Sequence, residues 1–183
     1  MNPVDYFCRL RIYKKNLKER RTRLHRVAFS WCQNVALADD LVQETLAKAL
    51  KGLCQLRQPE SMDRWLFDIL TNCWRDYLRK TRRTEYFVDV DEIDDFIYED
   101  EQEQREIVRR VRAAVSKLPV GQREVLALVD LEGFSYPEVA DMLGIPLGTV
   151  TSRISRARNT LKRLLKEFDM NKQIKVIKLR KVI

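Results

Sequence analysis

The stretch Ser135 to Leu165, SYPEVADMLGIPLGTVTSRISRARNTLKRLL, reads as two short helices joined by a tight turn. Ser135 with Glu138 three residues on makes an S-x-x-E capping box, which satisfies free amides at the start of the first helix. Pro137 falls in that first turn, where a missing N–H costs nothing. Gly144 follows the apolar set Val139, Ala140 and Leu143 and can take the left-handed conformation that ends a helix. Beyond Ile145-Pro146, the residues Val150, Ile154, Ala157, Leu161 and Leu164 recur at helical spacing. The other face carries Thr149, Ser152, Arg153, Ser155 and Arg156. Short hydroxyls for phosphates and base edges, with arginines able to contact guanine, suit a helix entering the DNA major groove. A hairpin with arginines merely facing solvent would need neither the cap nor a second helix free of acids until Glu167.

Composition agrees with a polyanionic partner. The chain has 183 residues and a net charge of +8, which favours phosphate-rich surfaces. With 45% hydrophobic residues it can build cores, so wholesale disorder is excluded. It carries no apolar leader and no long apolar run, so a cytoplasmic protein is expected. Cys8, Cys32, Cys54 and Cys73 contain no C-x-x-C pair, and His25 is the single histidine. That is a poor zinc set, and Cys32 and Cys73 are expected to be small buried thiols. Neither a metal nor a cofactor is expected.

Almost every periodic segment is helical. Arg9 to Gln33 is basic, with an apolar stripe of Leu17, Leu24, Val27, Ala28 and Trp31. Ala38 to Leu50 turns Ala38, Leu41, Val42, Thr45 and Ala49 to one side. After an interruption at Gln58-Pro59, Asp63 to Arg83 is a third helix, expected to bury Leu66, Ile69, Leu70, Cys73 and Tyr77. Charge then reverses through Asp89, Asp91, Glu92, Asp94, Asp95, Glu99, Asp100, Glu101 and Glu103, an acidic stretch with no sustained helical face, read as an extended linker. Further helices run from Ile107 to Leu118 and from Val125 to Leu131, ahead of the helix-turn-helix. The tail after Asp169 alternates basic and aliphatic residues and has no assigned role. The expected fold is all-α: two small helical domains, residues 1–84 and 105–169, joined by an acidic linker at 85–104 and followed by a basic tail at 170–183.

Three motifs together resemble the extracytoplasmic-function, or group 4, sigma factors of bacterial RNA polymerase. ADDLVQETLAKAL from Ala38 is similar to the polymerase-binding helix of region two. DRWLFDILTNCWRDYLRKTRR from Asp63 is similar to the helix that engages the minus-ten element. LPVGQREVLALVDLEGFSYPEVADMLGIPLGTVTSRISRARNTL from Leu118 looks like region four nearly end to end. They cover most of the chain from Leu24 to Leu165 in the family's order, and no stretch resembles region three.

The resemblance implies roles residue by residue. Asp39, Asp40, Gln43 and Glu44 would meet the clamp helices of the largest polymerase subunit; composition alone would make them a solvated surface. Asn72, Arg75, Asp76, Arg79, Lys80, Arg82 and Arg83 would meet the melted minus-ten strand. There Trp65, Trp74 and Tyr77 interleave with cations, a pattern suited to single-stranded DNA. Leu53 to Met62 would form a pocket for a flipped base, with Gln58-Pro59-Glu60 where the family has an aromatic-rich approach. Gly148, Thr149, Ser152, Arg153 and Arg156 would read the minus-thirty-five element, while Arg158, Lys162 and Arg163 touch phosphate. The expected partners are core RNA polymerase, promoter DNA and an anti-sigma factor of the kind that is frequently membrane-attached. No catalytic residue and no small-molecule substrate are expected. Two other readings stay open at this level: a dimeric helix-turn-helix regulator acting without polymerase, and a nucleic-acid-processing factor.

Overall fold

A computed structural model describes residues 17, 20–52, 61–81 and 102–167, and all regular structure among them is helical. Helix α1 covers residues 20–32. It is followed by α2 (Val35–Gly52), α3 (Met62–Thr81), α4 (Gln102–Ser116), α5 (Val120–Leu126), a π-helical turn (Ala127–Leu131), α6 (Tyr136–Leu143) and α7 (Leu147–Glu167). Two compact units result, one holding residues 17–28 with 36–81 and the other 29–35 with 102–167. Residues 1–16, 18–19, 53–60, 82–101 and 168–183 lie outside the described set, and with them the start of the segment 9–33, Cys8, Cys54, Arg82, Arg83, most of the stretch from Leu53 to Met62, most of the acidic linker and the tail.

The first unit forms because apolar stripes on α1, α2 and α3 repeat at helical spacing. Leu17, Leu24, Val27 and Ala28 are all buried, as is Trp31, which belongs to the second unit. So are Ala38, Leu41, Val42, Thr45 and Ala49 of α2, where Thr45 satisfies its hydroxyl by donating to the Leu41 carbonyl at 2.7 Å. On α3 the buried set is Met62, Leu66, Phe67, Leu70, Thr71, Cys73 and Trp74. This differs from the expected stripe: Ile69 and Tyr77 are only half-buried, while Phe67 and Trp74 go inside. Both sets lie on one helical face, and the observed one is turned toward Phe67 and Trp74, which places the larger ring in the core. Trp74 is therefore a packing residue, with Tyr77 stacked on it at 5.6 Å between ring centres. Asp63, in the first turn of α3, accepts from Arg20 and, at 2.6 Å, from Arg23 Nη1, binding α1 to α3. Arg23 also lies over the Phe67 ring, 5.8 Å from its centre.

In the second unit, α4 supplies Val111, Ala114 and Val115 to the core, with Leu118 in the following turn. Arg123 reaches back to that turn: its Nη1 donates to the Ser116 and Leu118 carbonyls, both at 3.0 Å. Those are orphan acceptors at a helix end, which a guanidinium fork can satisfy together. Its Nε donates to the Trp31 carbonyl at 3.2 Å. Then α5 runs into the π turn, where Glu132 donates to the Ala127 carbonyl five residues back, at 3.2 Å. The extra residue in that turn keeps Leu128 and Leu131 both inside.

The helix-turn-helix forms as its sequence dictates. Ser135 and Glu138 make the reciprocal capping box, with Ser135 N–H donating to Glu138 Oε2 at 2.8 Å. Gly144 sits at φ 53° and ψ 42°, the left-handed conformation expected there. Pro146 then offers its carbonyl to the amides of Thr149 and Val150, opening α7. Val150, Ile154, Ala157 and Leu161 are buried, and Leu164 is half-buried.

Candidate polymerase and nucleic-acid interfaces

Three surfaces hold the candidate residues. On α2, Asp40, Gln43 and Glu44 are exposed and share one face, with Asp39 half-buried at its edge. Asp39 is engaged by Arg21 at 3.6 Å and by His25 Nε2 at 3.7 Å. Burial lowers the His25 pKa despite the pull of Asp39, so the imidazole is mainly neutral at pH 7 and the Arg21 contact carries the charge. Glu44 pairs with Lys48 at 2.8 Å, one turn on. Asp40 and Gln43 thus offer the open acceptors of this surface, and Leu50, 44% exposed, adds an apolar side chain near the helix end. Sequence reading left Leu50 out of the inward-facing set of this helix and gave it no role.

On α3, Asn72, Arg75, Asp76 and Arg79 recur at helical spacing on one face, with Lys80 at the flank. Asn72, Arg79 and Lys80 are exposed, and Arg75 and Asp76 half-buried. Asp76 accepts from Arg79, which holds its pKa below the usual carboxylate range, and Lys48 stands 3.9 Å away. The acid in this basic row is therefore neutralised locally, leaving a cationic face.

On α7, Gly148, Ser152 and Arg156 form one stripe, with Thr149 and Arg153 beside it and the exposed Asn159 continuing it. Gly148 has nothing within 4 Å of where a Cβ would stand, so packing does not require glycine there and the backbone lies open to an approaching phosphate. Ser152 donates to the Thr149 carbonyl at 3.1 Å. Arg153 turns toward α5, where its Nη1 lies 3.9 Å from Glu124 Oε2. Arg158, half of whose side chain is exposed, is engaged within the protein. Its Nη2 and Nε donate to Asp130 at 2.6 and 3.2 Å, and Nη1 reaches the Tyr136 hydroxyl at 3.5 Å. Lys162 and Arg163 are exposed. Glu124 and Asp130 were missed by sequence reading because acids there look like ordinary helix-surface charge.

Both described thiols, Cys32 and Cys73, are held toward the protonated form. Cys32 donates to the Asn34 carbonyl at 3.1 Å, and burial pushes its pKa up to about 11. Cys73 is buried and likewise shifted up, with Lys48 Nζ at 3.4 Å. Among the described residues, no group of three His, Cys, Asp or Glu could hold a metal ion. No helix among them is long and apolar enough to cross a membrane.

Comparison with known proteins places both units. Residues 17–84 match the sigma-70 region 2 family and residues 108–161 the sigma-70 region 4 family. The chain is 39% identical over 142 residues to the ECF RNA polymerase sigma factor EcfG of Rhodopseudomonas palustris, covering 78% of each protein. It is 35% identical over 145 residues to the ECF sigma factor SigM of Mycobacterium tuberculosis, covering 78% of this chain and 71% of SigM. Among solved structures, the sigma factor RpoE of Bartonella quintana, co-crystallised with the anti-sigma factor NepR, superimposes with a TM-score of 0.71 at 32% identity. That match spans 84% of this chain and 96% of RpoE. CnrH, in complex with the cytosolic domain of CnrY, matches with a TM-score of 0.59 at 29% identity, over 86% and 89% of the two chains. Helical units with both sigma-70 regions in this order, and relatives of that identity and coverage, make the chain a member of the extracytoplasmic-function sigma factors, which direct RNA polymerase to promoters.

Proposed function

We propose that the chain docks on core RNA polymerase through the α2 face of Asp40, Gln43 and Glu44, with Asp39 held at its margin. The α3 face of Asn72, Arg75, Asp76, Arg79 and Lys80, together with Arg82 and Arg83 next in sequence, then takes the unpaired minus-ten strand. Gly148, Thr149, Ser152, Arg153 and Arg156 on α7 read the minus-thirty-five duplex. The observation that carries this reading is the α7 stripe: an open glycine backbone and exposed Arg156 stand with half-buried Thr149, Ser152 and Arg153 on the side of the helix opposite the core. Such a surface can enter a major groove without rearranging the fold.

The protein supplies promoter choice and strand capture, while catalysis belongs to the polymerase; it needs no cofactor or small-molecule substrate, and it acts in the cytoplasm. RpoE and CnrH were both solved with a bound partner, RpoE with an anti-sigma factor. A partner of that class for this chain follows from the likeness. The test is transcription in vitro by core polymerase with the full chain, with sequencing of transcript starts. Starts downstream of one shared pair of elements are expected. Tight, specific duplex binding by the chain alone, with no redirection of core enzyme, would overturn the proposal in favour of a stand-alone regulator.

A further inference from the structure

We propose that Gly121 and Glu124 on α5 are positioning residues for Arg153, and that they set its base preference in the upstream element. A Cβ at position 121 would stand 2.9 Å from both Cζ and Nη1 of Arg153 and 3.3 Å from its Nε. The guanidinium therefore fills the space that any side chain at 121 would need. Gly121 does not have the left-handed backbone that Gly133 and Gly144 show, so its conformation gives no reason for glycine. Alanine is the better helix former there. A Cβ there would press on the far end of a flexible side chain, so it would displace the guanidinium rather than the backbone.

Glu124 supplies the second constraint. One turn further along α5, its largely buried carboxylate faces Arg153 Nη1 at 3.9 Å, and Arg153 itself is only one-third exposed. An arginine on an open helix surface samples many rotamers, and that freedom is lost when it forms a two-pronged base contact. Steric room on one side and a carboxylate on the other restrict the side chain before DNA arrives, which is how preorganisation strengthens recognition. The same restriction confines the head group to one part of the groove, hence to one base pair.

This inference rests on the reading of α7 as the duplex-reading helix, and the test separates the two. Core polymerase with the full chain is assayed on promoter templates varied at each upstream-element position. Arg153→Ala, Gly121→Ala, Glu124→Gln, Glu124→Asp and the double variant Gly121→Ala/Arg153→Ala are compared. Gly121→Ala and Glu124→Gln should reduce discrimination by about tenfold at the same base pair that Arg153→Ala affects. Glu124→Asp should keep most of it, and the double variant should be no worse than Arg153→Ala. Additive losses in the double variant, or unaltered discrimination in both Gly121→Ala and Glu124→Gln, overturn the proposal. Should Gly121→Ala fail to fold, the isosteric Glu124→Gln decides by the same criterion. If Arg153→Ala is silent while Ser152 or Arg156 variants change the preference, the positioning role falls and the α7 reading stands. If no α7 variant matters, both fall.

Discussion

Asp63 shows how a single carboxylate can fix the acid limit of a helical unit. Burial works against its charge, but the hydrogen bonds from Arg20 and Arg23 outweigh that penalty and hold its pKa below the ordinary value. With the folded pKa depressed, the folded state binds fewer protons than the unfolded chain between the two values. The stabilisation is complete above the unfolded carboxylate value of about 4. It is lost as pH falls through the lower, folded value. All three side chains are about one-third exposed, so solvent screens the pair. Asp63→Asn should cost about 1 kcal/mol at neutral pH. It should also flatten the decline of melting temperature on acidification below about pH 5. Thermal melts across that range decide it, and an unchanged acid slope in the variant would assign the decline to other groups.

At the scale of elements, the helix-turn-helix was legible almost to the residue. Ser135, Glu138, Pro137 and Gly144 each carry a local rule that only one backbone geometry satisfies. Less of α3 could be read, since period alone leaves open which of two adjacent faces turns inward. Phe67 and Trp74 settled it by volume, taking the core that Ile69 and Tyr77 were expected to fill. The π turn could not be anticipated, because one inserted residue within an apolar run leaves the hydrophobic pattern unbroken. That turn presents Asp130, 15% exposed, to Arg158, so a residue that sequence reading assigned to phosphate also ties α7 to the preceding element. Arg158→Ala and Asp130→Ala should each lower stability by about 1 kcal/mol. The double variant should lose little more than either. Urea melts of the three variants check this; full additivity would mean that the pair contributes nothing.

For the whole molecule, sequence order was the decisive clue: a helix with an acidic and amide patch, a basic aromatic helix and a helix-turn-helix come in the order of sigma-70 regions 2 and 4. Which surface charges remain available could not be read, because pairing depends on rotamers and neighbouring elements. Asp39 and Glu44 are engaged by Arg21 and Lys48, whereas Asp40 and Gln43 face outward. Changing Asp40 and Gln43 together to alanine should abolish co-purification with core polymerase while circular dichroism stays helical. Normal co-purification would make the patch ordinary surface. The bidentate grip of Asp130 on Arg158 has a thermodynamic echo in the assembled holoenzyme. A cation already neutralised by its own protein releases few condensed counterions when DNA arrives. A plot of log affinity against log salt concentration should therefore keep its slope in Arg158→Ala, yet become shallower by about one in Arg163→Ala. Equal flattening in both would mean that Arg158 trades its carboxylate for the duplex.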